Sequence, residues 1–192
     1  MTCFVYAVRC NFAQPDLEDQ WNAWYSGPKL EEMLRKPHFL SVQRFTAAAL
    51  DTRRKYLALW IIASPDAFTT EEYRSDWGFF AWTSHIRDWS RDLYRATLDA
   101  TDPLFDIGPG EALYRAGFDG RTDEAARSAL ERVRTRRPGV AWLEAAGLDR
   151  HAPILGLKKI AATERVAPLA GPDAPVETVF APLTRRFVAS QN

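Results

Sequence analysis

One stretch of this sequence recurs in outline about a hundred residues further on, and that recurrence limits the possible folds more than any single motif does. Residues 37–63 read as two strands with a short polar connection. The β-branched and aromatic runs Phe39-Leu40-Ser41-Val42-Gln43-Arg44-Phe45 and Tyr56-Leu57-Ala58-Leu59-Trp60-Ile61-Ile62 flank Leu50-Asp51-Thr52-Arg53-Arg54. Arg35-Lys36-Pro37 is echoed by Arg136-Arg137-Pro138, an offset of 101 residues at the proline. Ser41-Val42-Gln43-Arg44 is matched in position by Trp142-Leu143-Glu144-Ala145. Tyr56-Leu57-Ala58-Leu59 is echoed by Ile154-Leu155-Gly156-Leu157 at an offset of 98. The same order of elements with one connection shortened by three residues is what a duplicated unit leaves behind.

The elements around the repeat complete each unit. Phe4-Val5-Tyr6-Ala7-Val8 opens the chain as a strand. Beyond Gln14-Pro15-Asp16, the spacing of Leu17, Trp21, Trp24 and Tyr25 predicts a helix with an aromatic face. Ser26-Gly27-Pro28 is expected to interrupt that helix, and Leu30, Met33 and Leu34 to form a second short one. Ser64-Pro65 caps another helical start. Residues 79–86 fit either a strand or the beginning of a helix, and residues 88–98 read as helical. Residues 99–110, with two prolines and two glycines, read as a link. The second unit opens with a strand at 112–118. A helix capped by Thr122 or Asp123 runs through Val133, the two echo strands follow, and Val176–Ala181 is the last clear strand. The organisation expected is a first, aromatic-rich, site-bearing repeat over 1–98, a link over 99–110, and a second, reduced repeat over 111–192 that has lost most of its second helix. Each reads as β-α-β-β-(α)-β, a ferredoxin-like unit whose open apolar sheet face must be buried. The fold class expected is therefore α+β. The tandem ferredoxin-like repeats carry antiparallel sheets that close on each other as an intramolecular barrel. A homodimer is not needed for that closure, although the sequence leaves room for one.

Charge and cysteine usage narrow the partners. Twenty-five basic and 25 acidic residues balance, so no nucleic-acid or anionic membrane partner is expected. The Arg132–Arg137 run reads as a solvated helix end. No apolar run approaches the length of a bilayer span, and the N-terminus does not read as a signal peptide. Cys3 and Cys10 lie seven apart on one strand, too far to be bridged and on opposite faces. Reduced thiols in a cytoplasmic protein are the expectation.

At this level the residues resemble a known group. Trp24-Tyr25 with Lys29-Leu30 and Leu34, followed by the strands at 37–45 and 56–60, resembles the dimeric α/β-barrel superfamily, within it the EthD-like and antibiotic-biosynthesis-monooxygenase-like proteins. The likeness is best over residues 1–75. It implies the barrel fold and a range of chemistries, from cofactor-less oxygenation to lyase, cyclase and haem-handling activities. Related sequences often carry a histidine before the leucine of the second short helix. Lys29 stands there in this chain, which argues against chemistry that leans on that histidine; it is expected to be exposed, with a cation for a substrate carboxylate as the alternative.

Aromatic side chains and one histidine carry the functional expectation. Seven tryptophans, eleven phenylalanines and six tyrosines suggest an aromatic-lined pocket, either between the helices and the first sheet or inside the barrel. Tyr6, Trp24, Tyr25, Trp60, Trp82 and Trp89 are its wall candidates, each with plain core packing as the alternative. His85 sits among aromatics with Asp88 three residues on. If that stretch is helical, the two share a face and form an acid/base pair, whereas the plainer reading is a locally satisfied histidine. His38 and His151 read as surface residues. Arg44, on the parity of Leu40 and Val42, either binds a substrate anion within the barrel or lies along the sheet edge. Neither a phosphate-binding loop, a nucleophile elbow nor a metal-ligand spacing is present, and no cofactor is called for. These features suggest a cofactor-independent enzyme performing acid/base chemistry (lyase, decarboxylase, isomerase or cyclase) on a small hydrophobic, aromatic or polyketide-like substrate. The alternatives are a cofactor-less monooxygenase or haem-handling protein, and a non-catalytic binding protein for a hydrophobic metabolite.

Overall fold

The computed structural model describes residues 2–49 and 53–190, so Leu50, Asp51 and Thr52 of the first polar connection lie outside the described residues. The first half contains β1 (Thr2–Phe12), α1 (Pro15–Trp24), α2 (Leu30–Leu34), β2 (Phe39–Ala47), β3 (Tyr56–Ile62), α3 (Glu71–Ser75) and β4 (Ile86–Asp99). The second contains β5 (Glu111–Gly117), α4 (Asp123–Val133), β6 (Ala141–Leu148), β7 (Ile154–Ala161), β8 (Val176–Pro182) and the short β9 (Phe187–Val188). The strand order is β3-β1-β4-β6-β7-β5-β8-β2, and β2 pairs back onto β3, closing an eight-stranded barrel in which every ladder is antiparallel. β9 adds to the free length of β2 at Ser41 and Val42.

The order β4-β1-β3-β2 in the first half is repeated as β8-β5-β7-β6 in the second. The halves join where β4 meets β6 and β8 meets β2. Closure leaves neither sheet an open edge there. The registers also correct one sequence match. Arg44 lies opposite Ala58 and Trp142 lies opposite Gly156, so the counterpart of Arg44 is Trp142, three residues earlier than sequence comparison places it. The shifted match restores the faces, since Phe45 and Leu143 both point into the barrel core.

Strand alternation sorts the residues between two layers. Cys3, Val5 and Ala7 of β1 enter the barrel core with Phe45, Leu57, Leu59, Tyr94, Leu113, Leu157 and Phe180. Tyr6, Val8 and Cys10 face outward beneath α1 and α2, alongside Trp21, Tyr25, Leu30 and Trp60. The two cysteines are free and on opposite sides, as their spacing predicts. The barrel is therefore a filled core. The link also helps fill it: Phe105 and Ile107 are buried there, and the Gln43 amide donates to the carbonyls of Ile107 and Thr184, each at 2.8 Å, while accepting from the Ile107 N–H at 2.9 Å.

Two local expectations change. Residues 88–98 are not helical: a 3₁₀ turn at Phe80–His85 feeds directly into β4. The three- and four-residue spacing of Trp82, Ile86, Trp89 and Leu93 comes from this junction. Within the strand, Ser90, Asp92, Tyr94 and Ala96 are buried at period two, and Leu93 faces the helices. Ser26-Gly27-Pro28 does not interrupt the first helix either. Tyr25–Lys29 forms a π-helical turn that carries α1 into α2, and its wider hydrogen-bond spacing absorbs the donor that Pro28 lacks. The caps at Ser64, Thr70 and Thr122 are formed by side-chain hydrogen bonds to Asp66, Tyr73 and Ala125 N–H groups.

Candidate functional site

An aromatic cleft opens between the helical layer and the outer face of the first half-sheet. Its empty space is about 380 Å³, part of it open to solvent. Tyr6 and Trp60, opposite each other on β1 and β3, form its floor, and Tyr25, Lys29 and Met33 come from the helical layer. Tyr73, Trp77, Phe79 and Trp89 form the outer wall. That wall is a run of ring contacts. Tyr73 stacks on Trp77 at 5.8 Å between centroids and Trp77 on Trp89 at 6.1 Å, and the Arg91 guanidinium lies 4.6 Å from the Trp77 ring. Gly78, at φ +107°, allows the backbone to turn between Trp77 and Phe79. A shallow hollow, about 800 Å³ with the solvent-open space it includes, adjoins the cleft across Trp77, Phe79 and Trp89, and Phe80 also lines it. Trp77, Phe80 and Trp89 stay 39–47% exposed, so the mouth presents rings to solvent.

Lys29 is the charged group in this apolar surround. The π-helical turn aims it inward and leaves it 4% exposed, contrary to the exposed position its sequence suggests. Its ammonium lies 3.2 Å from Glu32 and 4.4 Å from the Phe80 ring centroid. Burial pushes the Lys29 amine below the usual lysine range, with Glu32 opposing the shift. Burial likewise raises the hydroxyls of Tyr6 and Tyr25, which keeps both protonated as hydrogen-bond donors.

Four of the six expected wall residues (Tyr6, Tyr25, Trp60 and Trp89) line the cleft. Trp24 and Trp82 do not. They pack against each other at 6.3 Å, Trp24 also meeting Phe80 and Trp82 also meeting Phe12. His85 and Asp88 are not brought together as a pair. The His85 ring leans on Phe12, whereas Asp88 accepts from Arg53 at 3.0 Å and from Asn11, and its backbone carbonyl accepts from Arg54. The helical face that would have paired them is absent because the chain becomes β4 at Ile86. Arg44 is buried on the helix side of β2 instead of inside the barrel. It donates to the Asn22 carbonyl and side chain and to Ser26 Oγ, and lies 4.2 Å from the Tyr25 ring centroid. Those contacts make Arg44 a tie between β2 and α1, with Tyr25 between it and the cleft.

A second polar cluster, which the sequence reading missed, closes one end of the barrel. Arg9, Arg54 and Arg115 surround Asp119, with ion-pair distances of 2.5, 3.9 and 2.8 Å, and Asp92 lies 3.6 Å from Arg9. His151 stands at its edge. Arg9 shares the inward parity of Cys3, Val5 and Ala7, which is the signal that could have revealed it.

Neither a protein-family model nor a curated protein matches this sequence. Solved structures do match its fold. An anthrone oxidase-like protein aligns over 99% of this chain and 94% of its own, at 13% identity and a TM-score of 0.57. This is the dimeric α/β-barrel fold. Two weaker alignments lie in the same range: a provisionally described chlorite dismutase (9% identity, 84% and 80% coverage, TM-score 0.49) and a provisionally described monooxygenase from Lactobacillus acidophilus (9%, 95% and 94%, 0.40). The dimeric α/β-barrel is here built by one chain from two halves. A haem held in the cleft would find no imidazole there, because His38 lies at the start of β2, His85 on Phe12 and His151 at the barrel end. Lys29 and Met33 of the helical layer and Tyr73, Trp77 and Phe79 of the outer wall are among the cleft residues that the sequence-based wall candidates do not include. Only the position of Lys29 before Leu30, where relatives often carry a histidine, pointed to it.

Proposed function

We propose that the cleft binds a small planar hydroxyaromatic or aromatic ketone and removes a proton from it, with Lys29 as the acceptor. A buried amine in an otherwise aromatic cleft is the observation that carries this reading. Burial disfavours the Lys29 ammonium, against the opposing pull of Glu32, which moves the amine toward the proton-accepting form, and the ammonium that forms on proton transfer then sits beside the oxyanion it has created. Tyr6, Trp60 and the Tyr73-Trp77-Trp89 wall hold the flat ring system, and the tyrosine hydroxyls are donors for its oxygen atoms. The reaction remains within the acid/base class expected from the sequence, with Lys29 rather than His85 as the proton carrier.

The anthrone oxidase-like neighbour favours one continuation of the same first step. A deprotonated anthrone-type carbanion can react with dioxygen as co-substrate, the methylene carbon becoming a carbonyl and one oxygen atom leaving as water. Thermal-shift titration with anthrone and simple phenols tests the reading, since a ligand of the folded state raises the melting temperature. Removing the ring in Trp89→Ala, at a half-exposed wall position, is expected to weaken binding by about tenfold, roughly 1.4 kcal/mol. Lys29→Met should still bind, about tenfold more weakly because the bound ligand is no longer held as its anion, while turnover falls on the order of a hundredfold or more. Absence of a shift in the wild type, or a shift unaltered by Trp89→Ala, would overturn the assignment of the cleft. Saturable binding with no conversion of any ligand would establish the binding-protein alternative.

A further inference from the structure

The duplication places a second cleft at the counterpart of the first, and its lining is cationic instead of aromatic. On the outer face of the second half-sheet, Tyr114 lies opposite Lys158, as Tyr6 lies opposite Trp60 in the first. A groove of about 560 Å³ stands over this pair, walled by Arg136 and Arg137 after α4 and by Glu164 and Arg165 beyond β7. Its floor is a built network. Arg137 donates to the Tyr114 hydroxyl at 3.0 Å and to Glu177 at 2.7 Å, Tyr114 donates to Glu177, and the other Glu177 oxygen accepts from the Leu169 N–H at 2.6 Å. Arg137 and Glu177 thus satisfy each other. Among the described residues, Arg136, Lys158 and Arg165 have no side-chain hydrogen bond or ion pair. Three unpaired cations facing the single carboxylate of Glu164 give the groove a positive excess in a chain whose formal net charge is zero.

We infer that this groove is a second binding site, for a small multiply charged oxyanion. Guanidinium and ammonium groups lining one groove, Arg136 and Arg165 at its exposed rim and Lys158 half-buried on its floor, suit phosphate or carboxylate oxygens. Val140 and Ile160 supply an apolar strip for a short carbon body. The groove, part of whose space is open to solvent, is of a size to seat a small organic anion, and the balanced charge elsewhere gives no extended track for a polymer. The Arg132–Arg137 run, read from sequence as a solvated helix end, contributes Arg136 and Arg137 to the wall.

Calorimetric titration of the full chain at low ionic strength, with inorganic pyrophosphate in one arm and citrate in the other, tests this and separates the two sources of negative charge. Saturable binding of at least one is expected, weakening as salt is added. The double variant Lys158→Ala/Arg165→Ala should bind at least tenfold more weakly while keeping the wild-type melting temperature without ligand. Lys29→Met should bind the anion like wild type, so failure here is distinct from failure of the aromatic-cleft proposal. No saturable binding in either arm, or equal binding by the double variant, would overturn the inference.

Discussion

Arg44 shows how a single buried charge is held without an acid. It is 1% exposed, and among the described residues no carboxylate pairs with it. Its donors go to Asn22 and Ser26, and the rings of Trp21, Tyr25 and Tyr56 lie 4.2–5.7 Å from its guanidinium. Truncation in Arg44→Ala strands those partners and leaves a void under α1, so a loss of about 3 kcal/mol is expected in denaturant unfolding. Arg44→Met fills most of the volume and should lose distinctly less. Asp119 gives the corresponding pH effect. Burial raises its carboxyl pKa, but Arg115 and Arg9 more than offset that and hold it well below the usual carboxylate range. A depressed folded-state pKa contributes stability above the unfolded value of about 3.9 and loses it as pH falls toward the folded value. The stability gap between wild type and Asp119→Asn, large at pH 7, should therefore shrink below about pH 4. A gap that does not change with pH would contradict the ion-pair account. At this scale the sequence revealed residue types but little about their surroundings. Arg44, Arg9 and Lys29 are ordinary charges until strand parity and a π-helical turn decide which way they point.

Glycine spacing governs fit at the scale of the strands. A Cβ on Gly156 of β7 would fall 2.5 Å from the Trp142 ring and 2.7 Å from Val140. Gly156→Ala must displace that ring, at a cost of about 1–3 kcal/mol measurable as a lowered denaturation midpoint. The recurrent strands were legible because apolar and aromatic runs bounded by polar connections have few other solutions. The β4 region was not, because Trp82, Ile86, Trp89 and Leu93 satisfy helical spacing across what is a 3₁₀ turn followed by a strand. The π-helical turn at Tyr25–Lys29 was likewise hidden, since Gly27-Pro28 normally signals a break. It is also the element that aims Lys29 into the cleft, so the misread segment and the missed residue have one cause.

Across the whole molecule, duplication solves the burial problem of two half-sheets and leaves their outer faces to diverge. The shared barrel core could be anticipated from the repeat. The clefts could not, because each is assembled from segments far apart in sequence: Tyr6, Lys29, Trp60 and Trp89 in one, and Tyr114, Arg137, Lys158 and Arg165 in the other. The central claim is that the first cleft takes an aromatic ligand and holds it as its anion beside Lys29. An absorption titration with a hydroxyaromatic whose solution pKa lies one to two units above the working pH tests it most directly. The wild-type protein should shift the bound ligand to its phenolate spectrum, and Lys29→Met should bind the same ligand with the spectrum of the neutral phenol. A bound spectrum identical in both proteins would contradict it.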